Sequence, residues 1–223
     1  MAELTAKEKK DGVIADYDDI AKEYAEEFFY DTSDDPYTQE FLDSLDGDKV
    51  LDAGCGNGED VKFMLERGFE PIGIDLSKGM LQVAKERVPN GNFQVMDMAN
   101  IEFPDNSFDG ILSNCSLFHI PAEELPSVLK HFGRVLKPNG KLMLVLQEGN
   151  SEEMVEEPYR PGVFIYMRYF SLEEIQALLA QYDFDITNVA REESPSDGEL
   201  GNAKLIIRAT NQKEKNYQAP STK

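Results

Sequence analysis

Apolar positions near the start of the chain keep a helical period and then lose it. From Tyr17 they fall at Ile20, Ala21, Tyr24, Ala25 and Phe28, the i, i+3, i+4, i+7 spacing of an amphipathic helix. Residues 31–37 read as a loop, and a short helix is predicted near residues 39–45. The pattern then alternates between short apolar runs and amphipathic stretches. The runs at 49–53, 71–75, 92–96, 108–113 and 141–146 predict five strands. Between them lie helices marked by Val61, Met64 and Leu65, by Met80, Leu81 and Ala84, and by Leu125, Val128, Leu129, Phe132, Val135 and Leu136. Ser77 is placed to cap the second of these helices, and Lys137-Pro138-Asn139-Gly140 to stop the third. The polar stretch to about Pro161 predicts no element. Ser171-Leu172-Glu173-Glu174 is a capping box that opens another helix. Runs at 185–190 and 203–209, joined by a loop rich in Ser, Pro, Gly, Asp and Glu, predict an antiparallel hairpin.

Strands that alternate with helices imply right-handed βαβ crossovers. The predicted fold is α/β: a doubly wound, mostly parallel seven-stranded sheet with helices on both faces and a C-terminal antiparallel hairpin. One domain is expected over residues 1–223, with 1–12 and 211–223 loose and 14–45 forming a helical lid. Composition fits this picture, since 41% of the 223 residues are hydrophobic. The chain holds 43 acidic and 22 basic residues, for a formal net charge of −21. That charge repels phosphate backbones and anionic membranes, so nucleic acid is a disfavoured partner. Two cysteines, Cys55 and Cys115, form no disulfide or metal pattern, and the polar N-terminus carries no apolar targeting segment. A cytoplasmic protein with no bound metal is expected.

The candidate chemistry begins where the first strand ends. Asp52-Ala53-Gly54-Cys55-Gly56-Asn57-Gly58 sets three glycines at alternate positions, which lets the backbone turn sharply and approach a ligand closely. The second strand ends in Asp75, an acidic group where a ribose would be held in a sheet of this kind. Taken with its flanks, residues 50–58, the loop resembles the first motif of class I S-adenosylmethionine-dependent methyltransferases, in particular the small-molecule group called type 11. Its G-x-G-x-G spacing differs from the G-x-G-x-x-G of a dinucleotide loop. Gly73-Ile74-Asp75-Leu76-Ser77 with Met80 resembles the second motif, Met96-Asp97-Met98-Ala99 the adenine contact, and residues 108–114 the fourth motif. Residues 136–141 and 169–175 resemble the later turn and helix entry. The resemblance spans roughly residues 14–210.

That resemblance implies S-adenosylmethionine as cofactor. It implies Asp75 on the ribose hydroxyls, Asp97 and Met98 at the adenine, and Asp52 near the ammonium or orienting the loop. By the same resemblance Gly54, Cys55, Gly56, Asn57 and Gly58 wrap the cofactor, with Leu76, Met80, Asn114 and Tyr24 in contact with it. Cys55 and Cys115 read as small loop residues and not as nucleophiles, because no base lies beside them in sequence. His119 follows the fourth strand in the segment that lines the transfer pocket of the family, where it is either a general base or a packing residue. Tyr17 and Tyr24 share one face of the first helix, suited to core packing or to facing the pocket. Tyr159, Arg160, Tyr166, Arg168 and Tyr169 lie where the family places substrate-selecting inserts. Arginines there suit a carboxylate or phosphate, with surface solvation as the plainer explanation.

The implied activity is methyl transfer to a small-molecule acceptor. Asn114-Cys115-Ser116-Leu117 lacks the Pro-Pro-aromatic segment of methyltransferases acting on DNA bases or protein glutamine. Two alternatives stand: a non-catalytic protein that keeps the cofactor pocket, and a nucleotide-dependent oxidoreductase. The glycine spacing and the terminal hairpin argue against the second.

Overall fold

A computed structural model describes residues 4–28, 36–156, 160–193 and 203–213. The chain opens with α1 (Ala6–Phe28) and α2 (Pro36–Asp43), then alternates β1 (Lys49–Ala53), α3 (Glu59–Glu66), β2 (Glu70–Asp75), α4 (Lys78–Arg87) and β3 (Asn92–Val95). It continues through β4 (Phe108–Asn114), α5 (Leu125–Val135), β5 (Leu136–Gln147), β6 (Glu152–Glu156), β7 (Phe164–Arg168), α6 (Leu172–Gln181), β8 (Phe184–Glu192) and β9 (Lys204–Asn211). Seven strands make one sheet in the order β3-β2-β1-β4-β5-β9-β8, parallel as far as β5 and antiparallel beyond it. This is the predicted doubly wound sheet with its terminal hairpin. The order reverses between β1 and β4, and that switch point is where a ligand crevice opens in such sheets.

The central strands carry nearly continuous apolar runs because both faces of the sheet are covered. Along β5, Leu142, Leu144 and Leu146 point to the face packed by Val128, Leu129, Phe132 and Val135 of α5 and by Ile175 and Leu179 of α6. Met143 and Val145, the alternate residues, point to the other face and meet Phe41 and Leu42 of α2 and Phe63 and Met64 of α3. Ser77 caps α4 as expected, its hydroxyl accepting from the Met80 amide at 3.0 Å. Among the described residues no helix is long and apolar enough to cross a membrane.

Three features depart from the pattern. First, α1 starts at Ala6, so residues 6–12 are helical and not loose. A reciprocal capping box explains the early start: the Thr5 hydroxyl accepts from the Glu8 amide, and the Glu8 carboxylate accepts from the Thr5 amide. Second, β6 and β7 form a separate antiparallel ribbon in the stretch for which no element was predicted. Its first strand, Glu152-Glu153-Met154-Val155-Glu156, is almost wholly exposed and carries no apolar alternation. Third, β5 starts at Leu136 and runs through the predicted stop, with Asn139 absorbing the irregularity at a φ of 64°.

The C-terminal boundary also shifts. Asn211, the first residue of the supposed loose tail, is 1% exposed. Its side-chain amide donates to the carbonyls of Gly133, Leu136 and Lys137, closing the turn between α5 and β5. Gln212 and Lys213 are bonded to Asp183 and Asn106, and residues 214–223 lie outside the described residues. The loop predicted at 31–37 and the loop before β9 also fall largely outside them. Replacing Asn211 by Ala leaves three carbonyls at that turn to find other donors. Denaturant unfolding is expected to show a loss of about 1–3 kcal/mol, against a change within about 0.5 kcal/mol for an exposed control such as Glu123→Ala.

Candidate active site

A cavity of about 390 Å³ opens at the carboxyl ends of β1, β2, β4 and β5, roofed by α1 and the β6–β7 ribbon. Its floor is the turn that leaves β1. The Gly54 and Cys55 amides both donate to the Ile74 carbonyl, at 2.8 and 3.0 Å, which ties the turn to the end of β2. Gly54 has a φ of 85° and lies so close to the next loop that a Cβ would stand 2.3 Å from the Ser116 Cβ. Gly58 also has a φ of 85° and presses against Phe93, where a Cβ would meet the ring at 2.8 Å. No L side chain fits either place without moving the fold.

Asp75 ends β2 and lines the cavity. One of its oxygens accepts from the Gly56 amide at 3.0 Å and the other from the Ser77 amide at 2.8 Å. Burial pushes the Asp75 carboxyl above its usual range, while the amides of Ser77, Gly56 and Leu76 pull the other way. Asp52 is 1% exposed, and its Oδ2 is a buried oxygen with no hydrogen-bond partner. Burial, reinforced by the charges of Asp60, Asp75 and Glu59, holds the Asp52 carboxyl well above the ordinary carboxylate range. Asp52, Asp60, Asp75 and Glu59 crowd around the glycine turn, a concentration of acidic groups that a bound cation relieves.

A protein-family model described as a methyltransferase domain matches residues 50–140, from the first strand through the turn into β5. That stretch of the chain is similar to a methyltransferase domain. Phosphoethanolamine N-methyltransferase 3 of Arabidopsis thaliana is 34% identical over 152 residues, 63% of this chain and 29% of the relative. The chain thus matches less than a third of the length of such relatives. Demethylmenaquinone methyltransferase of Renibacterium salmoninarum is 28% identical over 65% of this chain and 62% of the relative. The fold matches an S-adenosylmethionine-dependent methyltransferase of Methanosarcina mazei with a TM-score of 0.72, at 21% identity, over 80% of this chain and 98% of that one. It also matches the 1,6-didemethyltoxoflavin N1-methyltransferase of Burkholderia thailandensis, solved with its acceptor and S-adenosylhomocysteine. There the TM-score is 0.71 at 19% identity, over 95% of this chain and 92% of that one.

In this cavity most of the site residues singled out from sequence converge. Gly54, Cys55, Gly56, Asn57, Asp75 and Leu76 line the cavity, as do Met80, Met98, Asn114, Tyr24 and His119. Three do not. Asp52 lies under the turn; Gly58 serves as the left-handed cap of α3 and packs on Phe93. Asp97 caps the short turn Met98–Asn100, and its second oxygen takes a 2.6 Å ion pair from Lys10. Both cysteine thiols are pushed up by burial, that of Cys115 to about 11, so neither is a nucleophile at neutral pH. Of the residues in the insert region, Arg160 pairs with Asp16 and Asp19, and Arg168 with Glu152 and Glu174. Tyr159 lies outside the described residues.

Sequence reasoning missed most of the cavity's other walls. Lys10, Val13 and Ile14 come from the early turns of α1, and Val155, Ile165 and Met167 from the ribbon. Glu59, Asp60, Gln147 and Lys204 also line it. The capping box at Thr5 and the Val163–Tyr166 run of β-branched and aromatic residues were the signals available for the first two groups. Gln147 and Lys204 carry no local signal.

His119 sits between two partners. Its Nδ1 is 3.0 Å from the Tyr166 carbonyl, which only accepts, so Nδ1 carries the proton. Nε2 therefore presents a lone pair, and the Tyr17 hydroxyl donates to it at 3.0 Å. Burial pushes the His119 pKa down to about 4, against the opposing bond to Tyr166. The folded state thus resists protonation at a site whose unfolded pKa is near 6.5. Stability from the neutral ring is fully present above pH 6.5 and is lost as the pH falls toward the folded pKa near 4. Unfolding free energies of wild type and His119→Gln, compared at pH 7 and pH 4, are expected to show wild type losing about 3 kcal/mol more than the variant. Equal losses would mean that the ring is already protonated or solvated in the folded state.

Proposed function

We propose that the chain is an S-adenosylmethionine-dependent methyltransferase acting on a small-molecule acceptor in a reducing, cytoplasmic setting. The observation that carries the reading is the Asp75 carboxylate, held by the amides of Gly56 and Ser77 at the rim of a turn that only glycine can form. The residues fit the cofactor. Asp75 would take the ribose hydroxyls, Met98 the adenine, and the acids around Asp52 the positive charge. S-adenosylmethionine supplies an electrophilic methyl group on a sulfonium. The chain's own task is then to hold the acceptor in line and keep water out.

Helix α1 fits the part of a lid. It closes the cavity with Lys10, Val13, Ile14, Tyr17 and Tyr24. Asp18 fastens it to the start of α4, accepting from the Ser77 hydroxyl at 2.7 Å and the Gly79 amide at 2.8 Å. His119 works through Tyr17. A ring with a pKa of about 4 is a poor resting place for a proton at neutral pH. Its neutral lone pair instead holds the Tyr17 hydroxyl hydrogen, which leaves the tyrosine oxygen to accept a hydrogen bond from the acceptor. The relatives differ in what their names say they methylate, from phosphoethanolamine to demethylmenaquinone. Tyr17 is suited to an acceptor that presents an N–H or O–H group.

Two experiments test this. Calorimetric titration should show S-adenosylhomocysteine binding and NADH not binding, with Asp75→Ala weakening the former by roughly 10- to 100-fold. Circular dichroism and unfolding of the variant check that the turn survives. NADH binding with no response to S-adenosylhomocysteine would overturn the reading. Once an acceptor is found by screening for S-adenosylhomocysteine release, Tyr17→Phe and His119→Gln are each expected to lower kcat by about tenfold, with a flat kcat profile from pH 6 to 8. A loss of about 100-fold or more, with an acidic limb in the wild-type profile that His119→Gln removes, would make His119 a general base.

A further inference from the structure

Tyr166 and Arg168, singled out in the insert region, do not line the cavity. Side chains alternate along β7: Ile165 and Met167 face the cavity, so Tyr166 and Arg168 point to the other face of the ribbon. On that face Tyr166 stands opposite Met154 and Arg168 opposite Glu152. Tyr166 still reaches the site, through its backbone. Its carbonyl accepts from Nδ1 of His119 at 3.0 Å. That bond decides which ring nitrogen carries the proton, and hence whether Nε2 can accept from the Tyr17 hydroxyl.

The main sheet does little to keep β7 in place. β6 and β7 pair with each other as a separate ribbon, and a single bridge past the end of β7, Glu148 to Phe170, joins it to the continuation of β5. One hold comes from α1: Val13 packs on Tyr166, and the Lys9 ammonium lies 4.7 Å from the centre of its ring. Arg168 supplies the other. Its side chain is only 12% exposed, and it pairs with Glu152 of β6 through Nη1 and with Glu174 of α6 through Nη2. Glu174 lies in the first turn of α6, a helix whose Ile175 and Leu179 are set in the main core. The guanidinium thus ties the ribbon to the body of the fold. Without it, two carboxylates on different elements face each other with no cation between them, and their repulsion pushes the ribbon off α6.

We propose that Arg168 is a positioning residue. By holding β7 between Glu152 and Glu174 it keeps the Tyr166 carbonyl on Nδ1 of His119, and so keeps the Nε2 lone pair on Tyr17. Its consequence for catalysis rests on the methyltransferase reading; the proton placement does not. When β7 shifts, Nδ1 loses its acceptor and the ring proton can move to Nε2. The ring then donates to the Tyr17 oxygen where before it accepted, and the Tyr17 hydrogen turns away from His119. The tyrosine then offers the methyl acceptor a hydrogen in place of a lone pair. Arg168 therefore acts on the reaction without touching a ligand.

The chain has two histidines, so labelling histidine with nitrogen-15 gives two imidazoles, and His131→Gln assigns them. Two-bond proton–nitrogen spectra at pH 7 should show His119 of the wild type protonated at Nδ1 alone. Arg168→Met should move part of the population to Nε2, and Arg168→Lys, which keeps a cation between the carboxylates, should move less. In S-adenosylhomocysteine release assays, Arg168→Met should lower kcat by about tenfold with KM for S-adenosylmethionine and for the acceptor unchanged. A wild-type His119 protonated at Nε2 overturns the proposal, as does an unchanged tautomer in folded Arg168→Met. A raised KM for the acceptor with the tautomer intact also overturns it, because the guanidinium would then bind the acceptor. If Arg168→Met does not fold, Glu174→Gln weakens the same tie from α6 and is held to the same spectral outcomes. Failure of the wild type to bind S-adenosylhomocysteine counts against the methyltransferase reading instead, and the spectra still decide the role of Arg168.

Discussion

The chain leaving β1 must reverse direction within residues 54–58 while its backbone lies against three other parts of the molecule. Gly54 touches Ser116 after β4, Gly58 touches Phe93 of β3, and the Cys55 sulfur rests where a Cβ on Gly73 of β2 would stand 2.7 Å away. The constraint is mutual. Ser116 can approach only because Gly54 has no side chain, and its hydroxyl then donates to the Ala53 carbonyl at 2.7 Å, pinning the end of β1. The Ile74 carbonyl closes the other side of the turn. Backbone thus fills space that side chains occupy in an ordinary loop, so donors and acceptors face the cavity at fixed positions without the entropy cost of ordering side chains.

Holding that floor does not by itself make an enclosed site. Enclosure depends on α1, which is fixed at separated points: Lys10 on Asp97 and Glu124, Tyr17 on His119, Asp18 on the cap of α4, and Asp16 and Asp19 on Arg160. Apolar contacts of Ala21 and Ala25 with Met80 and Val83 add a dry seam. Most of these ties join residues more than 50 positions apart, and several run to residues that line the cavity. A ligand that displaces Lys10 from Asp97, or that bonds Tyr17, therefore changes how firmly the helix is held. The position of α1 over the cavity thus rests on partners distant in sequence, not on the helix's own propensity.

How much of this was legible in the sequence follows from which interactions are local. The strands were readable because both faces of the sheet are covered, which leaves near-continuous apolar runs at 49–53, 108–113 and 141–146. The turn was readable because its chemistry is the spacing of Gly54, Gly56 and Gly58, a local property. The early start of α1 was marked only by Thr5 and Glu8, a weak sign among charged residues. The β6–β7 ribbon left little trace because β6 is acidic and exposed, and it is held by pairing with Phe164–Arg168 and not by burial of its own. Tyr17 and His119 were each noticed separately, yet their bond spans 102 positions and nothing local announces it.

That division follows the two halves of the site. The half proposed to hold the cofactor is built from backbone amides and a carboxylate at strand ends, so a short stretch of chain specifies it. The rest of the cavity is lined from α1, the ribbon, the end of β5 and the start of β9, segments joined only by the fold. Side chains there can change without disturbing the turn, because Gln147 and Lys204 bond to neither Asp75 nor the glycines. Lys204 is even carried by a strand that enters the sheet antiparallel, after the alternating βαβ rhythm has ended. The terminal hairpin thus has a second consequence beyond closing the edge of the sheet: it brings the start of a strand, and a cation, to the ligand side of β5, where a parallel strand would bring its end.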